Sequence, residues 1–445
     1  MGRDGNRGSP YTPHTAQETE TMLSAIGLDR EEDLFDIPDA VTFDGTFDIP
    51  ERSEQDVREL CRDILSNNAE LTEFLGRGHY GHYQPSIVDD LSRRSEFLTS
   101  YTQYQPEIAQ GFLQALFEYQ SMFVELTGLD IVNCSIYDAG SALGEAATLA
   151  SRVRESTGNQ ILVPEQMVDG RRSVLENYVA GIDLTVAEYP MTDGAVDVPA
   201  LEAKIDEDCL MVYVENPTVR GVVEPHVADI AALAEAHSAL TTLGTDPLAL
   251  SLLEVPEALG VDVVIGDAAT LGLPVSYGTG LGLFATREAY LRQLPGRIIG
   301  VSDDETGTRS FTLTLQTREQ HIRRERATSN ICTNQAWIGL RTAMHLAWLG
   351  PDGLVDLATT CVRSANTLAE ALNDIDGIEA PVHDRHHFRE FVARTDRKAP
   401  AVAADLEDAG YAIHVIDDYL VQIAVTERTA PATDDLVAAF EEAIA

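Results

Sequence analysis

Apolar positions along this chain follow two rhythms. Near the start, residues 18–26 and then Val57, Leu60, Ile64 and Leu65 recur at helical spacing. That spacing predicts a short helix near 18–26, on an otherwise extended arm, and a longer one over 53–75. The stretch 76–106 keeps neither rhythm. Tyr80, Tyr83, Tyr101 and Tyr104, with Pro85 and Pro106 among them, predict a shaped loop. From 107 onward, helical stretches alternate with short runs rich in Val, Ile and Leu. A helix over 107–127 ends at a turn on Gly128, and NCSIYD reads as strand-like before a helix from Ser141. ILVP, LTVAEYP, LMVYVENP, ALTTLGTDP, VDVVIGD and GLGLFAT read as strands, with helices over 199–205 and 225–239 between them. Such alternation predicts a mainly parallel sheet covered on both faces. Residues 318–348 read as long helical stretches broken near 329–334. A smaller α/β pattern of helix, FREFVAR, helix, YAIHVI, LVQIAV and a last helix from Thr433 follows. The expected division is an arm and helix (1–75), a large α/β domain (76–317), connecting helices (318–350) and a small α/β domain (351–445).

Composition narrows the setting. At 445 residues and 44% apolar content the chain is long enough for two or three domains with large cores. No apolar run approaches the ~20 residues of a membrane span. The opening MGRDGNRGSPYTPHT lacks the apolar core of a secretion signal, so a soluble cytoplasmic protein is expected. The net charge is −42, from 73 acidic and 31 basic residues, and the acid is spread over a chain of ordinary periodicity. Neither a nucleic-acid mimic nor a disordered acidic protein reads this way. Adaptation to molar salt does, because there the Debye length falls to about 3 Å and self-repulsion is screened. The same charge argues against nucleic acid or an anionic membrane as partner. Cys61, Cys134, Cys209, Cys332 and Cys361 lie far apart, so free thiols are expected and no metal site.

Four segments carry candidate chemistry: Tyr101-Thr-Gln-Tyr-Gln-Pro-Glu107, Ser135-Ile-Tyr-Asp-Ala-Gly-Ser141, Gly266-Asp-Ala-Ala-Thr-Leu-Gly-Leu-Pro274, and Leu313 through Thr333, LTLQTREQHIRRERATSNICT. With Pro295-Gly-Arg-Ile-Ile-Gly300 and the opening Tyr11-Thr-Pro-His14, these resemble the amino-terminal half of glycine decarboxylase, the P protein of the glycine cleavage system. The resemblance runs from about residue 10 to the carboxyl end. It implies the pyridoxal-phosphate type I (aminotransferase-like) fold, a large mainly parallel-sheet domain followed by a small α/β domain. It also implies a split enzyme whose second subunit carries the cofactor lysine. Together the two decarboxylate glycine and pass the aminomethyl group to the lipoyl arm of H protein. Three motifs depart from the family: Asp138-Ala-Gly-Ser141, Ala268-Ala-Thr270 and Gly278-Thr-Gly280. All surround the expected cofactor pocket.

Pyridoxal phosphate needs a lysine amine for its imine. Only two lysines exist, Lys204 and Lys398, both in polar surface-like stretches. Aligning the second subunit's Ile-Pro with Leu273-Pro274 sets its lysine on Ala269. The resemblance therefore implies no catalytic residue in this chain and a cofactor held by the partner, not covalently here. Asp246, in Thr-Asp-Pro after a strand, lies where the fold places the aspartate facing the pyridine nitrogen; here a structural role is expected.

What the chain could lend a partner's site is its polar loop residues. Tyr101, Tyr104, Gln105 and Glu107 offer phenols, an amide and a carboxylate of the kind a small amino-acid substrate needs. His79, His82 and Tyr83 lie near the same entry loop. The plainer reading has the tyrosines packing an interface and Glu107 supporting a helix start. Thr328, Ser329 and Asn330 stand before a helix from Asn334. They could hold the cofactor phosphate across the interface or merely cap that helix. Arg318, Arg323, Arg324 and Arg326 suggest binding of a carboxylate or of a lipoyl protein, but Glu319 and Glu325 lie among them, so salt bridges on a helical face explain them too and are the favoured reading. The competing reading of the whole chain is a purely structural or regulatory subunit with no residue in the active site.

Overall fold

The computed structural model describes residues 14–35, 37–41, 50–98, 105–153, 158–275, 279–316, 329, 331 and 335–445. The chain divides into two compact units, Met1–Ala69 and Glu70–Ala445.

In the first unit, helix α1 (Ala16–Ala25) starts at a capping box. Thr15 Oγ accepts from Glu18 N at 3.3 Å, and Thr15 N donates to Glu18 Oε2 at 2.7 Å. Helix α2 (Glu54–Leu65) starts on the equivalent Ser53–Asp56 pair. It is shorter than the spacing predicts. The side chains of Asn67 and Asn68 bond the carbonyls of Asp63, Ile64 and Leu65, satisfying the helix end locally. Val57, Leu60, Ile64 and Leu65 share a face of α2, and all four are exposed.

In the second unit, a short helix α3 (Ser86–Ser92) precedes α4 (Gln110–Thr127). α4 closes on Gly128 at φ +71°, where a Cβ would meet Val255 Cγ1 at 2.5 Å. A seven-stranded sheet follows. Its strands are β1 (Ile131–Val132), β2 (Gln160–Pro164), β3 (Thr185–Tyr189), β4 (Cys209–Asn216), β5 (Leu240–Thr245), β6 (Val263–Asp267) and β7 (Gly282–Thr286), in the order β1-β7-β6-β5-β4-β2-β3. The five strands from β6 to β3 are parallel; β7 runs antiparallel to β6 and β1 antiparallel to β7. All eight residues of β4 are buried, as a parallel strand covered on both faces requires. Helix α5 (Ala139–Val153) lies against the sheet on its alanines. On its other side Gly144 lets Tyr178 approach closely, because a Cβ there would stand 2.4 Å from the Tyr178 ring. Helices α6 (Asp169–Val179) and α7 (Val227–Ala236) complete the cover.

Two stretches differ from the sequence reading. NCSIYD forms no continuous strand: the Asn133 side chain bonds Pro295 O and accepts Ser135 N at 2.6 Å, turning the chain before Ile136 bridges Gly282. The region after Pro295 holds an unforeseen hairpin, β8 (Arg297–Asp303) with β9 (Arg309–Gln316). Its turn is fixed by Asp304 Oδ1, which accepts Thr306 N and Thr308 N at 2.8 Å, and by Gly307 at φ +79°.

A long helical element, α8 (Ala336–Asn373), bends at Gly350 (φ +64°, ψ 177°) just before Pro351. It leads to a four-stranded antiparallel sheet of β10 (Ile378–Glu379), β11 (Glu390–Thr395), β12 (His414–Val415) and β13 (Leu420–Ala424), ordered β10-β11-β13-β12. Helices α9 (Ala399–Asp408) and α10 (Thr433–Ile444) share a core with it. Among the described residues no helix is long and apolar enough to cross a membrane.

Candidate functional site

Parallel strands converge their carboxyl ends on one rim, and a pocket opens there. Its floor is Thr245 and Asp246 after β5, Glu215 at the end of β4, Thr218 just beyond it, and Asp267 at the end of β6. The entry loop supplies Arg77, Gly78 and Tyr80, α6 supplies Arg171, and the small domain supplies Phe388, Arg389 and Glu390.

A buried polar network fills much of this space. Arg389 is 1% exposed and forms an ion pair with Asp246, which also accepts Leu248 N at 2.8 Å. The guanidinium lies 3.3 Å from the centre of the Tyr80 ring and touches His82 Nε2 at 2.5 Å. A guanidinium can only donate, so Nε2 is the acceptor and the proton sits on Nδ1. That Nδ1 donates to Glu427 Oε2 at 2.7 Å, while Tyr83 N donates to Glu427 Oε1 at 2.7 Å. Beside this chain, Glu390 accepts the Tyr80 hydroxyl at 2.5 Å, Arg77 N at 3.0 Å and Gln422 Nε2 at 2.9 Å. Arg171 answers Glu215 at 2.6 Å.

The charge states follow from burial and partners. Burial lowers the His82 pKa, against the pull of Glu427, so the ring is neutral. Burial raises Glu390, with Tyr80 opposing it. Burial also raises Asp267, tempered by its bonds from Leu281 N and Ala269 N, both at 3.0 Å. Burial pushes Glu427 up, but the His82 ring and the Tyr83 amide together outweigh it and hold the carboxyl below its ordinary value. His82, Cys361 and Glu427 lie close enough to share a cation. Both His82 nitrogens are already engaged, however, and burial pushes the Cys361 thiol up to about 12.

The residues singled out from the sequence fall in different places. His82 is buried in the network, and Tyr83 is 57% exposed beside it. His79 is exposed at the mouth of the loop. Gln105 precedes a 3₁₀ turn, Pro106–Ile108, and Glu107 lies within it, with both side chains exposed. That turn is pinned from behind: Gln110 Nε2 donates to Pro106 O at 2.8 Å and to Phe311 O at 2.9 Å on β9. Tyr101 and Tyr104 lie outside the described residues, as do Thr328, Asn330, Arg318, Arg323, Arg324 and Arg326. Ser329 is buried, and its hydroxyl donates to Glu145 Oε1 at 2.8 Å within the chain and accepts Ile331 N at 3.1 Å. Burial lifts Glu145 to about 7, partly offset by Ser329. Sequence reasoning missed Arg389, Glu390, Glu427 and Arg341. Arg341 is buried and bonds Gly272 O at 2.7 Å, Ser92 Oγ at 2.9 Å and Asp89 at 2.7 Å, tying α3 to the turn after β6. The usable signal was charge inside an apolar strand pattern: Phe388-Arg-Glu-Phe391 puts Arg389 and Glu390 among core positions.

This architecture, a large mainly parallel sheet with a small domain closing over the strand ends, is that of the pyridoxal-phosphate type I enzymes. A sphingosine-1-phosphate lyase of Burkholderia pseudomallei shares the fold at TM-score 0.65 and 14% identity, over 92% of this chain and 94% of that one. The family "Glycine cleavage system P-protein" matches residues 9–440, and the chain belongs to that family. A crystal structure of glycine decarboxylase (P-protein) in inhibitor-bound form superposes at TM-score 0.85 with 37% identity, covering 98% of this chain and 100% of the other. A probable glycine dehydrogenase (decarboxylating) subunit 1 of Halobacterium salinarum is 58% identical over 436 residues, 98% of this chain and 99% of the relative.

The residues present do not fit pyridoxal phosphate. Ala269, on which the resemblance sets the second subunit's lysine, sits in a tight 3₁₀ turn, Ala268–Leu271, with its methyl group buried. The carboxylate that would face a ring nitrogen, Asp246, is already neutralised by Arg389. Lys204 and Lys398 are exposed and do not line the pocket, and Lys398 pairs with Asp418 at 3.3 Å.

Proposed function

We propose that this chain is subunit 1 of a two-subunit glycine decarboxylase of the glycine cleavage system, an enzyme active only together with subunit 2. Full-length kinship to proteins of that name carries the reading. Pyridoxal phosphate is then held by subunit 2, glycine is the substrate, and lipoylated H protein receives the aminomethyl group. The pocket filled by Arg389 supports placing the cofactor in the partner. The exposed Gln105, Glu107 and Tyr83 support a rim that completes the partner's site, together with Tyr101 and Tyr104. Thr328, Ser329 and Asn330 are the weaker candidates, because the Ser329 hydroxyl is used on Glu145. We take the large domain to end near 317 and the small domain to begin near 351. The acidic surface and the kinship to a Halobacterium protein support a salt-adapted, cytoplasmic enzyme.

The test is glycine-dependent exchange of labelled bicarbonate in molar KCl, with H protein and pyridoxal phosphate present. This chain, its partner and the mixture are assayed separately. Activity confined to the mixture is expected. Activity of this chain alone overturns the placement of the cofactor. No activity from a demonstrably formed complex overturns the reaction.

A further inference from the structure

The entry loop contains a stretch of backbone that ordinary side chains avoid. Gly76, Arg77 and Gly78 have φ of +70°, +60° and +92° in succession. Two of the three are glycines, which adopt this conformation freely; Arg77 is not. A non-glycine residue in the left-handed region is strained, and such strain gathers at functional positions. Here the conformation lets Arg77 N donate to Glu390 Oε2 at 3.0 Å while the side chain lines the pocket.

Every carboxylate lining that pocket is already answered. Glu215 has Arg171, Asp246 has Arg389, Asp267 has two backbone amides, and Glu390 has Tyr80, Gln422 and the Arg77 amide. The cations are not all answered. Arg77 Nε is buried without a hydrogen-bond partner, and the side chain forms no ion pair among the described residues. Arg220 does not itself line the pocket but stands beside it, between the lining residues Val219 and Gly221; among the described residues its side chain has one bond, to the neutral Gln422 Oε1 at 3.2 Å. Arg77 and Arg220 also repel one another: burial and then Arg77 lower the Arg220 pKa, with Glu390, Asp417 and Asp169 opposing. His414 is lowered in turn by burial, Arg77 and Arg220, with Asp169 opposing. The remaining wall offers Thr218, Thr245 and Thr270, and the free space is about 60 Å³. At about 10–15 Å³ per water-sized position, that admits a ligand of only four or five heavy atoms.

We propose that Arg77 and Arg220 hold a small oxyanion, a carboxylate or a phosphate, in this chain's own pocket. The planar fork of a guanidinium matches either group. The site uses the space that Arg389 leaves open. Isothermal titration of the full chain, at fixed KCl, with inorganic phosphate in one arm and glycine or acetate in the other distinguishes the two sources. One saturable site is expected, weakened about tenfold or more by Arg77→Gln or Arg220→Gln, as the loss of a charge-assisted hydrogen bond predicts. Arg77→Gly provides the control for folding, since it relieves the left-handed backbone: Tm holds or rises while binding is lost. No saturable binding of any of these probes overturns the proposal. So does affinity unchanged in both glutamine variants, or affinity retained in Arg77→Gly.

Discussion

The inside of the pocket and the exposed turn over residues 106–108 solve opposite problems. Inside, Asp246, Arg389, His82, Glu427, Tyr80 and Glu390 bond one another across four segments distant in sequence. At the turn, Gln105 and Glu107 stand in solvent on backbone that is itself fixed by Gln110. Buried ionic groups must be answered from within the chain, because each unanswered one costs several kcal/mol. Exposed polar groups are free to be answered by another molecule. The contrast separates what holds this subunit together from what it can offer a partner.

The contrast can be broken in four places. Removing Arg389 has the largest expected effect. Arg389→Met strands a buried Asp246 carboxylate and lowers unfolding stability by about 3–5 kcal/mol in a denaturant titration. Replacing both groups (Arg389→Met with Asp246→Asn) recovers a large part of that loss, and no recovery would show that the two do not act as a pair. Glu145→Gln acts next, and in the opposite direction. A carboxyl held at about 7 when folded, against about 4.5 unfolded, contributes stability that is fully present below 4.5 and lost as pH rises through 7. The glutamine variant therefore outlasts the parent above pH 7 by up to about 3 kcal/mol and shows a flatter profile between those values. Equal pH profiles for the two proteins would refute the assignment. Glu427→Gln weakens the bond that keeps the His82 proton on Nδ1 and costs about 1–2 kcal/mol. It also leaves the His82 dependence in place. Burial depresses that pKa, so its contribution is present above about 6.5 and lost as pH falls through the lower folded value. The smallest effect on stability belongs to Glu107→Ala, within about 0.5 kcal/mol, as for exposed positions generally. Its effect is expected instead in the exchange assay of the intact complex. A variant indistinguishable from the parent there would return the rim to the structural reading.

Much of the fold was legible because it rests on periodicity. Strands β2 to β7 are short apolar runs, and each falls where such a run stands in the sequence. The small domain was equally plain, since β11, β13 and α10 alternate with ordinary turn signals. The hairpin β8–β9 was missed because its residues form a motif that drew attention as chemistry, while RSFTLTLQ alternates as a half-buried strand should. The absence of a lysine at 269 could be counted directly. The Arg389–Asp246 pair could not, because nothing local to Phe388-Arg-Glu-Phe391 says which distant carboxylate the arginine will meet. His82 was found as a loop residue, but its neutrality depends on burial, which only packing decides.

One consequence of the Arg389–Asp246 pair concerns competition. A ligand arriving from solution meets Asp246 at whatever concentration the cell provides. A guanidinium tethered just before β11 meets it at the effective concentration of an intramolecular group, commonly millimolar or above. That rival is synthesised with the chain in fixed one-to-one amount and cannot be diluted away or depleted. Restoring a lysine at 269 would therefore supply an anchor for a cofactor without clearing its seat, and occupancy would still require evicting the arginine.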